Sequence, residues 1–381
     1  MITFVSAFLN HHQSQLCAEL RKYCDEFYFI STTPMPETRR TLGYKDVDTK
    51  HDFVLRAYDG STDESRIEEI LLNSDVVIFG DCDNKYINLR MKENKLSFLY
   101  SERFFKKGTW RRFIPRTRKT IKERVVNHKD KNFYVLCASA FLSYDLKLLG
   151  FDTDKCYKWG YFPEVKEYTA YPERNNSVPR ILWAGRMIDW KHPEYALKGA
   201  AALRDMGCDF SLDIIGGGEC EAQLREMTES LGLTDKVNFL GSMSPDEVRH
   251  NMESSDIFLM TSDYQEGWGA VVNEAMSCGC AVLASSAVGS VPFLISDSDN
   301  GIIYRYGDMK DFTDKLSLLV KNKELRNALG QSAFDTIKNE YNQTVAVKRL
   351  MDFIANGCKE DPRYTYGPMS KAVVTENEWY K

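Results

Sequence analysis

Short apolar runs alternating with helical patterns recur along the whole chain, and this alternation constrains its fold more than any other feature. In the first half the runs are Ile2–Phe8, Phe27–Ser31, Phe53–Arg56, Val76–Phe79, Leu96–Tyr100 and Phe133–Cys137, with helical spacing over Ser14–Tyr23 and Asp63–Leu72. In the second they are Ile181–Ala184, Ser211–Ile215, Val237–Leu240, Ile257–Met260, Ala281–Ala284 and Gly301–Tyr304, with helices expected over Pro193–Met206, Glu219–Leu231 and Glu247–Met252. Strands that are apolar on both faces and separated by helices belong to parallel sheets covered on both sides, the doubly wound α/β class. A chain of 381 residues exceeds one ordinary core. The stretch Glu164–Pro179, polar and holding Pro172, Asn175, Asn176 and Pro179, has linker composition. The expected layout is a first domain at 1–165, a linker at 166–179, a second domain at 180–355, and a tail at 356–381 that returns to the first domain.

Composition excludes several classes of function. With 50 basic and 55 acidic residues the net charge is −5, so the molecule as a whole does not attract polyanions. Ten cysteines without a CxxC pair read as reduced thiols of a cytoplasmic protein rather than a disulfide framework. The apolar start MITFVSAFL lacks a basic leader and ends at Asn10, which suits a buried first strand better than a signal peptide. No run of about 18 apolar residues occurs, so no membrane-spanning helix is expected.

The most informative stretch is Tyr264-Gln265-Glu266-Gly267-Trp268-Gly269-Ala270-Val271-Val272-Asn273-Glu274. It follows a buried strand and opens a helix near Gly269, which places Glu266 at the carboxyl end of a strand, where open α/β sheets bind ligands. The amides of Gly269, Ala270 and Val271 then form an anion-binding helix start, and Gly267 and Gly269 let the backbone approach a ligand closely. Two carboxylates, Glu266 and Glu274, can accept from the hydroxyls of a sugar and a ribose. Earlier, Arg186 and Lys191 follow the first strand of this half; a guanidinium fork and a mobile ammonium together can neutralise a diphosphate.

Glu266-Gly-Trp-Gly followed by Asn-Glu274-Ala, together with Gly-Arg186 and Lys191, resembles the signature of family-4 retaining glycosyltransferases of GT-B fold, of the bacterial polysaccharide type. That resemblance implies two Rossmann-like domains with a cleft between them. It also implies retention of anomeric configuration, with transfer of a hexose from a nucleoside diphosphate to a saccharide or lipid-linked saccharide. It assigns Glu266, Arg186 and Lys191 to catalysis and Glu274 to the ribose, and puts Gly218 and Met243 near the phosphates and nucleobase, with Gly267, Trp268, Gly269, Ala270 and Val271 along the donor. No cofactor or metal is expected, the Asp81-Cys82-Asp83 stretch notwithstanding. A nucleotide-sugar epimerase of similar fold and a non-catalytic sugar-nucleotide-binding partner are the alternatives.

In the first half the acceptor candidates are His11 and His12, after the first strand, and Glu102 and Arg103, after the strand ending at Tyr100, with a structural salt bridge as the alternative for the latter two. Residues 103–124 hold ten Lys or Arg against one Glu, interleaved with Phe104, Phe105, Trp110 and Phe113. No nucleic-acid-binding motif accompanies them, and the pattern suits peripheral contact with an anionic membrane surface on its cytoplasmic side, or an ordinary solvated loop and helix.

Overall fold

The computed structural model describes residues 1–37, 51–163, 171–172, 174 and 176–380. It divides into two compact units, Met1–Glu164 with Tyr341–Glu376, and Val165–Glu340 with Asn377–Lys381. Half of the linker expected at 166–179 lies outside the described residues.

The first unit is built on a seven-stranded sheet of order β3-β2-β1-β4-β5-β6-β7. Its strands are β1 Ile2–Ser6, β2 Phe27–Ser31, β3 Val54–Arg56, β4 Val76–Phe79, β5 Ser97–Ser101, β6 Phe133–Cys137 and β7 Cys156–Lys158. All pair in parallel. Only β7 has no counterpart among the apolar runs: it is three residues long and ends in a lysine. Because β1 pairs with both β2 and β4, the chain reverses its direction of travel across the sheet there. The loops at that point splay apart and leave a crevice.

The second unit repeats the plan with six parallel strands in the order β10-β9-β8-β11-β12-β13. These are β8 Arg180–Ala184, β9 Ser211–Ile215, β10 Val237–Gly241, β11 Ile257–Met260, β12 Ala281–Ser285 and β13 Ile302–Tyr304. Here β8 lies between β9 and β11 and marks the switch point. Leu212, Ile214, Ile257, Leu259 and Leu283 from the sheet meet Leu197, Leu203, Phe312 and Leu316 from the helices in one buried cluster. Each such side chain contributes about 2 kcal/mol by leaving water. Local sequence sets the helix starts. Ser244 and Glu247 form a reciprocal capping box for Pro245–Ser254, and Asp308 and Asn322 cap the two long helices that follow.

The second domain ends earlier than 355. Helix Gln343–Ala355 belongs to the first unit, where the Phe353 ring meets those of Tyr157, Tyr134 and Phe98, with centroids 4.7, 5.4 and 6.2 Å away. Tyr341, at the crossing, donates to the Trp159 carbonyl at 2.6 Å. Beyond the helix, Lys371 bridges Tyr157 in antiparallel fashion. The last residues join the second unit, where Trp379 donates to the Ser286 carbonyl at 2.9 Å.

Candidate functional site

Three loops at the carboxyl ends of β8, β9 and β10 are laced by their own main chains. Gly185 donates to Ile215 at 3.0 Å, Met187 to Gly217 at 2.9 Å, and Gly216 to Gly241 at 2.8 Å. The approach is so close that a Cβ on Gly218, whose φ is +152°, would lie 2.5 Å from the Met187 carbonyl oxygen. This packing accounts for Gly218 without any ligand. Met243, in the loop after β10, is half-buried and accepts from the Asn251 amide at 3.5 Å.

The lacing fixes the segment that carries Arg186 and Lys191, and a second set of bonds fixes Lys191 against the loop after β11. The Trp183 indole donates to the Thr261 hydroxyl at 2.8 Å, and that hydroxyl donates to the Lys191 carbonyl at 2.7 Å. One residue earlier, the Trp190 carbonyl accepts from the Asp263 amide at 3.0 Å. The result is a direct ion pair between Lys191 Nζ and Glu266 Oε2, an oxygen that also accepts from the Ser262 hydroxyl at 3.1 Å. The two side chains are only 16% and 11% exposed, so their attraction is weakly screened. Arg186 is exposed, 5.8 Å from the Trp190 ring, with no carboxylate in ion-pair range among the described residues. The Arg186 fork is thus not engaged by a carboxylate, whereas the Lys191 ammonium is held by Glu266.

Beyond Glu266 the chain turns through Gly267, Trp268 and Gly269 into helix Val271–Ser277, with Ala270 at the N-cap position and no side-chain cap. The helix starts about two residues later than expected because Gly269 has φ +84°; a Cβ there would also lie 2.8 Å from the Met260 methyl. Among the described residues, no backbone carbonyl accepts from the amides of Gly269, Ala270 or Val271. Glu274 is half-buried in the first turn of the helix; burial raises its carboxyl above the usual range while the Arg249 charge pulls the other way. Trp268 requires correction. Its indole is fully buried, donates to Asn273 Oδ1 at 2.8 Å and packs on Phe293. It is a strut that sets the start of the helix rather than a donor-binding surface.

His192 carries no signal in the sequence, since a lone histidine between Lys191 and Pro193 follows no ligand spacing. Its Nδ1 lies 3.0 Å from Glu194 Oε1, its Nε2 3.2 Å from the Tyr306 hydroxyl and 3.8 Å from Asp263 Oδ2. The nearby Asp263 carboxylate and then the hydrogen bond to Glu194 outweigh burial and push its pKa up to about 9.

The first unit holds a cavity of about 380 Å³ at its own switch point, lined by residues that include Asn10, Gln13, Asp81, Glu102, Arg124 and Tyr161. Both oxygens of Glu102 are held: Oε1 accepts from the Tyr161 hydroxyl at 2.7 Å, and Oε2 pairs with Lys106. His11 and His12 begin the helix His11–Leu20, capped by Asn10. Their rings are 3.6 Å apart, and His12 stacks on Tyr161 at 5.3 Å. Arg103 reaches the cavity wall, yet its side chain is fully buried and pairs with Asp145 at 3.0 Å. The other Asp145 oxygen accepts from the amides of Phe104 and Phe105, each at 2.9 Å. Arg103 is thus the structural member of the pair of candidates, and Glu102 the one that faces the cavity. Asp83 caps helix Asn84–Lys92 by accepting from the Lys85 amide at 2.8 Å.

Of the basic stretch, Arg124 turns inward to the carbonyls of Cys82 and Gly80. Trp110 and Phe113, 59% and 68% exposed, stand outside with Arg111 and Arg112 beside their rings. No helix among the described residues is long and apolar enough to cross a membrane, and all ten cysteines are free thiols.

Residues 166–336 match the family model for glycosyl transferases group 1. An uncharacterized glycosyltransferase of Haemophilus influenzae is 32% identical over 145 residues, 38% of this chain and 40% of that protein. A D-inositol 3-phosphate glycosyltransferase of Corynebacterium aurimucosum is 25% identical over 217 residues, 54% of this chain and 50% of that protein. The chain therefore spans half or less of the length of these relatives. Among solved structures, Anabaena HepE in complex with UDP superposes with a TM-score of 0.69 at 13% identity, covering 93% of this chain and 99% of HepE. The same Anabaena protein has been solved with UDP-glucose, TM-score 0.66, 14% identity, 93% and 99% coverage. The second unit thus carries the sequence signature of the group 1 glycosyl transferases, on a chain with the two-sheet GT-B fold.

Proposed function

We propose that the protein is a retaining, family-4-type hexosyltransferase that takes its sugar from a nucleoside diphosphate and passes it to a saccharide or lipid-linked saccharide. The observation that carries this reading is the Lys191–Glu266 pair at the switch point of the second sheet, with Arg186 exposed on the same loop as Lys191. In this reading the diphosphate lies against Arg186, Lys191 and the amides of Gly269–Val271, which have no backbone carbonyl partner among the described residues. Glu266, released from Lys191 as the phosphate takes the ammonium, accepts from the sugar hydroxyls; Glu274 accepts from the ribose. Gly267 and Met243 flank the donor.

Catalysis then consists of positioning and of stabilising the leaving diphosphate. The bond from the anomeric carbon to the diphosphate oxygen breaks as the acceptor oxygen bonds to the same face of that carbon. The acceptor proton passes to the departing oxygen, so no side-chain base is needed. Two cations and a helix start balance the charge that a divalent ion would otherwise neutralise. The acceptor reads against Glu102, His11 and His12 in the first unit. Residues 103–124 meet the cytoplasmic face of an anionic membrane, supported by the exposed Trp110 and Phe113 among arginines.

The experiment is a donor panel, UDP- and GDP-sugars with and without saccharide acceptors and with EDTA, read by nucleotide release and by the anomeric coupling constant of the product. Nucleotide release that survives EDTA and an axial product from an axial donor support the reading. Conversion of the donor to another nucleotide sugar without acceptor indicates an epimerase instead, and tight donor binding without turnover a non-catalytic partner.

A further inference from the structure

We infer that His192 is a positioning residue whose ring ties the chain just after Lys191 to the turn that presents Glu266. The inference deepens the reading of that pair as donor-handling machinery and rests on it.

The backbone gives the first reason. His192 closes the short 3₁₀ turn Asp189–Lys191 with φ 48° and ψ 52°, a left-handed conformation that glycine adopts without strain and a β-carbon resists. A side chain persists in such a place when its surroundings hold it there. The imidazole is held by three elements. Helix Glu194–Asp205 supplies Glu194 to Nδ1 and packs Tyr195 at 5.7 Å; the loop after β11 supplies Asp263; the loop after β13 supplies the Tyr306 hydroxyl to Nε2.

Asp263 is the second reason, because it joins both halves of the site. Its amide donates to Trp190, next to Lys191, while its carbonyl accepts from the Glu266 amide at 3.1 Å and its Oδ1 from the Gln265 amide at 2.7 Å. The ring of His192 therefore bears on the residue whose main chain sets the positions of both Lys191 and Glu266. A lysine that must change partners when a diphosphate arrives needs a main chain that does not move with it.

Charge is the third reason. Burial alone would raise the carboxyls of Glu194 and Asp263, yet His192 beside both, with the hydrogen bonds each accepts, holds them below the usual range, with Lys198 adding to the effect on Glu194. The imidazole, pushed up from 6.5 to about 9, is cationic at neutral pH and has a donor on each nitrogen. A group raised on folding contributes fully below 6.5 and loses its contribution as pH climbs through about 9.

The test compares His192→Gly, His192→Asn and Asp263→Asn with the wild type in UDP release from UDP-glucose between about pH 6 and pH 10. If His192 served only its turn, glycine would replace it without loss. The expected result is that His192→Gly loses kcat about tenfold and melts below the wild type at neutral pH, a gap that closes as pH climbs through about 9. Its KM should change much less, and the alkaline fall in kcat expected of the wild type near pH 9 should be missing. His192→Asn, which tolerates the backbone but carries no charge, should behave likewise. A glycine variant with wild-type kcat and an unaltered alkaline limb overturns the inference while leaving the transferase reading intact. A wild type silent toward UDP-glucose and every other donor of the panel counts against that reading instead. In that case imidazole NMR of the free protein decides: the His192 ring should titrate near 9 and fall toward 6.5 in Asp263→Asn, and an unmoved titration overturns the coupling.

Discussion

The hydroxyl of Thr261 donates to the main-chain carbonyl of Lys191 at 2.7 Å, while the same oxygen receives the buried Trp183 indole at 2.8 Å. The side chain of a core strand is thereby connected, through one oxygen, to the backbone of the lysine that faces Glu266. Thr261→Val keeps the shape and removes the oxygen. It leaves the indole N–H without an acceptor at a cost of about 1–3 kcal/mol. Urea unfolding should show that loss, and kcat should fall with it because Lys191 is no longer braced. Unchanged stability would mean that the indole finds another partner.

Arg186 and Lys191 differ in how they are held, and their variants should differ accordingly. Arg186→Ala removes an exposed cation and should lower kcat about a hundredfold with little effect on stability. Lys191→Ala should lower kcat similarly and also cost about 3 kcal/mol, because Glu266 is left as a buried, unpaired carboxylate. Glu274→Ala should raise the donor KM rather than lower kcat. Steady-state kinetics with thermal melts separates the three. Equal melting of the two cation variants would contradict the buried pair.

Trp268 tests a reassignment. A buried strut is sensitive to size and to its hydrogen bond. Trp268→Phe should cost about 1–3 kcal/mol through the Asn273 bond and the lost ring volume. Its donor KM should stay near the wild-type value once the fraction folded is allowed for. A large rise in KM at unchanged stability would return Trp268 to the donor surface.

In the first unit, Arg103→Ala leaves Asp145 buried without its cation and should cost about 3–5 kcal/mol. Glu102→Gln should leave the melting point nearly unchanged and raise the acceptor KM about tenfold, by loss of a charged hydrogen-bond acceptor. Differential scanning calorimetry with acceptor titration distinguishes them. The reverse pattern would exchange their roles.

Much of this architecture is legible in the order of residues alone. Twelve of the thirteen strands among the described residues fall on the apolar runs, most of them because a strand buried on both faces must be apolar throughout; β3 and β10 are only partly buried. The placement of Lys191 and Glu266 at the carboxyl ends of strands of one sheet is legible, but their direct pairing is not. What the residue order does not reveal depends on three-dimensional partners. The burial of Trp268 is decided by Asn273 and Phe293, and that of Arg103 by Asp145, forty-two residues away. Helix Gln343–Ala355 carries a pattern that would suit either unit; the aromatic cluster around Phe353 decides it. His192 has no motif, only neighbours.

The central claim concerns where a donor's diphosphate sits, and a crystal structure of the protein with UDP addresses it directly. The account predicts phosphate oxygens within hydrogen-bond reach of Arg186, Lys191 and the amides of Gly269–Val271, with Lys191 drawn off Glu266. A nucleotide bound elsewhere, or bound there with the Lys191–Glu266 pair intact and Arg186 turned away, would contradict it.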